Sequence, residues 1–163
     1  MIKERVILIA VWILVLGAIG LLVKRSTWHR FAAGFLMAQN LTWLNVLIHC
    51  QLGMFEYPVR EFPKATDVGF TLQYLLYPAI VGFCTLFEPR GSFWKKTRYI
   101  LVWPTGVILL RLVLMRYTQL IVAYHYHLLL DWVTMLGIFL ISIGVTKWLF
   151  RDPDYLQAEE RIA

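Results

Sequence analysis

The sequence predicts an all-α integral membrane protein, a bundle of five transmembrane helices. Hydrophobic residues fill 60% of its 163 positions and charged residues only 16%, whereas about a quarter of the residues in a soluble domain are charged. The apolar residues also fall into long blocks, and about 20 apolar helical residues span the core of a bilayer. We therefore expect a single helical membrane domain.

The apolar blocks place the spans at about 6–23, 31–55, 68–87, 99–121 and 128–150. The first block is longer than the apolar part of a signal peptide and lacks a good cleavage site, so we interpret it as a retained span. Pro78 is expected to kink the third span or open it locally. Residues 151–163 are interpreted as a short polar cytoplasmic tail. In an alternative with four spans, residues 115–127 lie at the membrane interface.

The distribution of Lys and Arg predicts the orientation. With the N-terminus outside, the cytoplasmic segments carry ten of these residues and the outer segments five, which favours an outer N-terminus and a cytoplasmic C-terminus. Lys3 and Arg5 argue locally for the opposite orientation. The formal charge of +6 is explained by contacts with anionic lipid headgroups, so we expect no nucleic-acid partner.

Four of the spans carry polar side chains at helical spacing. These are Thr42, Asn45, His49 and Glu56 on the second span, Asp67, Thr71 and Tyr74 on the third, Arg111 and Thr118 on the fourth (with His125 if the helix continues), and His127, Asp131 and Thr134 on the fifth. Polar groups in hydrocarbon are costly unless they face the bundle interior and find partners. We therefore expect the stripes to face a polar cavity at the outer end, where segments 56–67 and 124–131 meet.

Arg111 is the most informative of these residues, since an arginine in mid-span costs about 2.5–3.5 kcal/mol. Its expected partners are Asp131, Glu56 and Asp67. Such a pair either fixes the helix register or contributes to a ligand site, and the sequence leaves both roles open.

The polar residues indicate a site for an anionic lipid headgroup or a similar ligand. The predicted ligand-binding residues are Arg111, Arg60, Lys64, His125, Asn45 and Tyr74. Whether the protein is an enzyme is left open; the candidates for acid–base catalysis are Glu56, His49, Asp67, Asp131 and His127.

No cofactor is expected, because the chain has no glycine-rich phosphate loop and no His-Glu-x-x-His motif. His125, His127 and Asp131 could form a metal half-site with His49 or Glu56. We favour no metal, since histidines in a tyrosine-rich turn are usually interfacial.

Two other functions fit the same sequence. The chain is small enough to be a structural or assembly subunit of a larger membrane complex, with membrane proteins or a second copy as partners besides lipids. A small transporter or channel is disfavoured, because the sequence has no internal repeat.

The segment Glu56-Tyr57-Pro58-Val59-Arg60-Glu61-Phe62-Pro63-Lys64-Ala65-Thr66, followed by Gln73-Tyr74 and Tyr77-Pro78, resembles a family of small multi-pass membrane proteins of endospore-forming bacteria. The resemblance implies a bacterial plasma or spore membrane; it brings no established activity and no catalytic residue. More distantly, the layout is similar to that of teicoplanin-resistance-type membrane proteins, which are thought to act near lipid headgroups.

Overall fold

A computed structural model describes residues 2–62, 64, 66–89 and 92–150. Its helices are α1 (Ile2–Leu22), α2 (Trp28–Gln51), a π-helical segment (Thr71–Leu76) that continues as α3 (Tyr77–Leu86), α4 (Phe93–Tyr117) and α5 (Leu128–Leu149), and its strands are β1 (Phe55–Glu56) and β2 (Val122–Ala123). The predicted tail, residues 151–163, lies outside the described residues.

The described chain is helical apart from its loops and two short strands, as predicted. Helices α1, α2, α4 and α5 contain 21, 24, 25 and 22 residues and are long and apolar enough to cross a membrane. The third predicted span is a shorter apolar helix, Thr71–Leu86.

The predicted helix ends need correction. Helix α2 ends at Gln51 rather than residue 55, because Gly53 adopts a left-handed conformation with φ 66° that glycine tolerates and other residues rarely do. The third helical segment begins at Thr71 rather than 68. Helix α4 ends at Tyr117 rather than 121, because Thr118 is extended. The segment that follows forms a turn and β2.

Two contacts bring together the N-terminal ends of α1 and α5 and the C-terminal ends of α2 and α4 at one end of the bundle. Strands β1 and β2 pair antiparallel, with Glu56 opposite Val122. The Lys3 amine donates a hydrogen bond to the Tyr117 carbonyl oxygen at 3.2 Å. We call this end, with residues 52–62, 64, 66–70 and 118–127, the loop end, and the opposite end, with residues 23–30, 87–89 and 92–98 and Lys147, the basic end. The predicted meeting of the two polar segments at one end is confirmed.

Helices α2 and α3 approach each other closely at two glycines. A Cβ atom on Gly82 would lie 2.7 Å from Cε2 of Phe31, and one on Gly34 would lie 2.7 Å from Oγ1 of Thr85. Both distances are too short for real contacts, so the packing requires glycine at each position.

The π-helical segment ends at Leu76, two residues before Pro78. Proline has no N–H to donate to the preceding turn, and π-helical turns are rare and often lie at functional sites. The disturbance predicted at Pro78 therefore takes the form of a widened turn over Thr71–Leu76.

Candidate functional site

Arg111 and Asp131 form a buried ion pair near the loop end. Arg111 belongs to α4 and Asp131 to the first turn of α5, and their exposed fractions are 1% and 0%. A guanidinium nitrogen of Arg111 donates to Oδ1 of Asp131. Of the three partners predicted for Arg111, the structure shows Asp131.

Aromatic side chains enclose this pair. The guanidinium carbon of Arg111 lies 5.4 Å from the ring centre of Phe55 and 5.0 Å from that of Tyr77, and a desolvated cation–π contact contributes about 2 kcal/mol. The Tyr126 hydroxyl donates to Oδ2 of Asp131 at 3.0 Å. Both carboxylate oxygens are thus bonded, as a charge taken out of water requires.

Further buried polar groups extend from this pair towards α2. The Gln73 side-chain amide donates to the Tyr57 hydroxyl at 3.0 Å, and its backbone carbonyl accepts from the Thr42 hydroxyl at 3.0 Å. Burial raises the pKa of Tyr57. Nδ1 of His49 lies 2.7 Å from the Asn45 carbonyl and therefore carries the proton, while Nε2 has no hydrogen-bond partner among the described residues.

A separate groove lies at the same end, between α1 and residues 58–61. Its volume is about 620 Å³, and its α1 wall consists of Arg5, Leu8, Ile9 and Trp12. The Trp12 indole N–H donates to Oγ1 of Thr71 at 2.9 Å. This bond holds α1 against the start of the π-helical segment and so fixes the width of the groove.

The groove presents two guanidinium groups. Arg60 donates to Oδ1 of Asp67 at 2.6 Å, while its Nε is buried without a partner in the described part of the chain. Arg5 lines the opposite wall and belongs to none of the ion pairs described.

Glu61, the carboxylate in the groove, already accepts hydrogen bonds on both of its oxygens. Its two oxygens accept the backbone N–H groups of Phe70 and Thr71, each at 3.0 Å. An anion at the N-terminus of a helical segment is stabilised there. Glu61 therefore shapes the groove by fixing the loop to the π-helical segment.

The remaining predicted site residues lie apart from one another. Glu56 accepts a 2.7 Å hydrogen bond from the exposed Tyr124 hydroxyl, and this bond raises the pKa of Tyr124. Tyr74 stacks on Phe70 with ring centres 4.7 Å apart. Lys64, His125 and His127 are exposed.

The expected single pocket therefore needs correction. Arg111 and Asp131 are enclosed, while Arg60 lines the separate groove. Glu56 lies on β1 and Asp67 precedes the third helix, so neither continues a helical stripe. His125 does not share the Arg111 face, because α4 ends before it.

In the described part of the chain, His125, His127 and Asp131 do not form a metal half-site. Within the described ranges, no group of three or more His, Cys, Asp or Glu side chains is arranged to hold a metal ion. Asp131 is bonded to Arg111 and Tyr126, whereas His125 and His127 are exposed.

Sequence reasoning missed the α1 wall of the groove. Arg5, Leu8, Ile9 and Trp12 recur at intervals of three, four and seven positions, which places them on one helical face. The sequence could have indicated this wall, because a basic and an aromatic residue share one face of a mainly apolar helix.

Comparison of the chain with known protein families, curated proteins and solved structures finds no match. The resemblance of residues 56–78 to the family named above stays a prediction.

Proposed function

We propose that the protein is a multi-pass membrane protein whose loop-end groove binds the phosphate-bearing headgroup of a membrane lipid. The observation that carries this proposal is the composition of the groove: Arg5 and Arg60 line it from opposite walls, and the rest of the α1 wall is apolar. Arginine donates paired hydrogen bonds to phosphate oxygens. The apolar wall suits the first methylenes of the acyl chains.

The surface of the helices supports the membrane setting. On α1, large apolar side chains are highly exposed, including Leu14 at 71% and Leu21 at 88%. An exposed apolar surface of this kind promotes aggregation in water, whereas it is the usual surface of a helix in contact with lipid. The excess of Lys and Arg at the basic end supports a cytoplasmic position for that end and an outer position for the groove.

The dimensions of the groove suit a headgroup. Ligand sites usually enclose about 300–1,000 Å³, and this groove encloses about 620 Å³. Arg60 pairs with Asp67 through one terminal nitrogen and keeps 24% of its side chain exposed, so its guanidinium retains donors for a ligand. In this proposal Arg111 does not touch the lipid; it holds β1 and α3 through Phe55 and Tyr77.

The test counts lipids that remain bound to the purified protein. Native mass spectrometry from mixed phosphatidylglycerol and phosphatidylcholine micelles would compare wild type with the double variant Arg5→Ala, Arg60→Ala. Hydrogen bonds to charged groups contribute about 1.5–3 kcal/mol each, so we expect retention of phosphatidylglycerol to fall at least about tenfold.

Arg116→Ala is the matched control, because Arg116 is an exposed cation at the same end and does not line the groove. It should retain lipid as wild type does. Equal retention by all three proteins would contradict the proposal.

The alternative of an assembly subunit is favoured by one feature of α1. Cβ atoms built on Gly17 and Gly20 meet nothing within 4 Å, and small residues allow close helix contacts in membranes. A second copy of this chain is the partner to test. A single-chain mass in mild detergent at all protein concentrations would argue against this alternative.

A further inference from the structure

Three buried polar atoms near the Arg111–Asp131 pair have no hydrogen-bond partner in the described part of the chain. They are Nε of Arg111, Oε1 of Gln73 and the hydroxyl oxygen of Tyr77. Each of these three residues is at most 1% exposed. A buried polar group without a partner lowers stability, and such groups are rare in folded proteins.

The three residues belong to one cluster. The ring centre of Tyr77 lies 5.0 Å from the guanidinium carbon of Arg111, and its hydroxyl interacts with that charge without being aligned for a hydrogen bond. Gln73 lies on the preceding turn of the same helical segment, and its amide donates to the Tyr57 hydroxyl at 3.0 Å. Burial raises the pKa of Tyr57, and the charge of Arg111 opposes that rise. The guanidinium is therefore close to the Gln73–Tyr57 pair as well.

The chemistry of the three atoms defines which molecule fits between them. Nε of Arg111 can only donate a hydrogen bond, Oε1 of Gln73 can only accept one, and the Tyr77 hydroxyl can do either. A carboxylate cannot donate to Gln73, and a metal ion cannot accept from Arg111. Because Asp131 already neutralises the charge of Arg111, the cluster favours a neutral molecule that both accepts and donates.

We propose that Arg111, Gln73 and Tyr77 bind one enclosed water molecule inside the helix bundle. The water accepts from Nε of Arg111, donates to Oε1 of Gln73 and shares its third hydrogen bond with the Tyr77 hydroxyl. Buried waters typically make about three hydrogen bonds to groups that would otherwise lack a partner. The site adjoins the π-helical turn over Thr71–Leu76, a kind of turn that often lies at functional sites. It is independent of the loop-end groove.

The test detects magnetisation that passes from water to the Nε–H group of Arg111. Solid-state NMR of the full chain in phosphatidylcholine bilayers, with ¹⁵N-labelled arginine, measures this transfer. We expect it in the wild type although Arg111 is buried. Tyr77→Phe keeps the ring and removes one of the three partners, so the transfer should fall about two- to tenfold, as the loss of one hydrogen bond predicts. Gln73→Met, which removes the acceptor, should lower it by a similar factor.

Tyr99→Phe is the matched control, because the Tyr99 hydroxyl already donates to the Cys84 carbonyl oxygen at 3.1 Å. It should leave the transfer to Arg111 unchanged. No transfer to Arg111 in the wild type would overturn the proposal, and so would equal transfer in the wild type and Tyr77→Phe. An equal loss in Tyr77→Phe and Tyr99→Phe would also overturn it, because it would show a general loosening of the bundle.

Discussion

Arg111 of α4 and Asp131 of α5 form an ion pair that solvent does not reach. The rings on either side of the guanidinium come from β1 and α3, through Phe55 and Tyr77. One buried charge thus joins four parts of the fold at the loop end. This arrangement favours the register-fixing role for Arg111.

Breaking this pair from one side should be severely destabilising. Either single change, Arg111→Met or Asp131→Asn, leaves the other residue as a buried charge without its partner. Such changes cost about 3–5 kcal/mol of folding free energy. The free energy of unfolding in mixed micelles, titrated with sodium dodecyl sulfate, measures this loss. The double variant Arg111→Met, Asp131→Leu should regain most of it, because no buried charge remains.

Tyr124→Phe is the control for that series, since it removes an exposed hydrogen bond to Glu56. Exposed polar pairs contribute about 0–1 kcal/mol, so its stability should stay close to wild type. Single variants at 111 and 131 that were as stable as Tyr124→Phe would refute the role assigned to the pair.

The close packing of α2 on α3 predicts that alanine substitution lowers stability at Gly82 but not at Gly106, which lies outside this contact. Gly82→Ala places a methyl group against the Phe31 ring, and overpacking typically costs about 1–3 kcal/mol. Gly106→Ala on α4 meets nothing within 4 Å and should be neutral or slightly stabilising, because alanine favours helix. Thermal unfolding of both variants tests this; equal melting temperatures would disprove the close approach.

Releasing Arg60 from its partner should strengthen lipid binding in the groove. Asp67→Asn removes the carboxylate at 2.6 Å, and an exposed pair of this kind is worth up to about 1 kcal/mol. We expect retention of phosphatidylglycerol to rise by up to about fivefold. Glu56→Gln removes an exposed carboxylate outside the groove and should change retention less. Weaker binding by Asp67→Asn would mean that Asp67 positions Arg60.

Stability should fall at alkaline pH. Burial raises the pKa of Tyr57 and of Tyr126, and Asp131 raises that of Tyr126 further. The unfolded chain loses these protons near pH 10 while the folded chain keeps them, so the folded state binds more protons and the free energy of unfolding decreases as pH rises. This contribution is fully present below about pH 10.

Unfolding measured from pH 8 to pH 11 tests this dependence. The double variant Tyr57→Phe, Tyr126→Phe should lose stability with pH less steeply than wild type. Identical slopes for the two proteins would show that these hydroxyls ionise equally in both states.

The sequence predicted the features that follow from the hydropathy of a segment or from the cost of burying one charge. Long apolar blocks predicted the helices, and the cost of a lone arginine in an apolar span predicted a carboxylate partner for Arg111. The groove depends instead on a distant contact, the Trp12–Thr71 hydrogen bond that holds α1 against the π-helical segment. The early end of α2 depends on the left-handed conformation of Gly53. A hydropathy pattern carries no information about backbone conformation, so it did not predict this end.

The central claim is that the loop-end groove receives a lipid phosphate headgroup. The most direct measurement is cross-linking of a phosphatidylglycerol analogue with a photoreactive headgroup to the protein in bilayers, followed by peptide mapping. We expect labelling of residues 5–12 and 58–71 that is lost in the double variant Arg5→Ala, Arg60→Ala. Labelling of these residues that is no stronger than at other lipid-facing segments, or that survives in the variant, would contradict the claim.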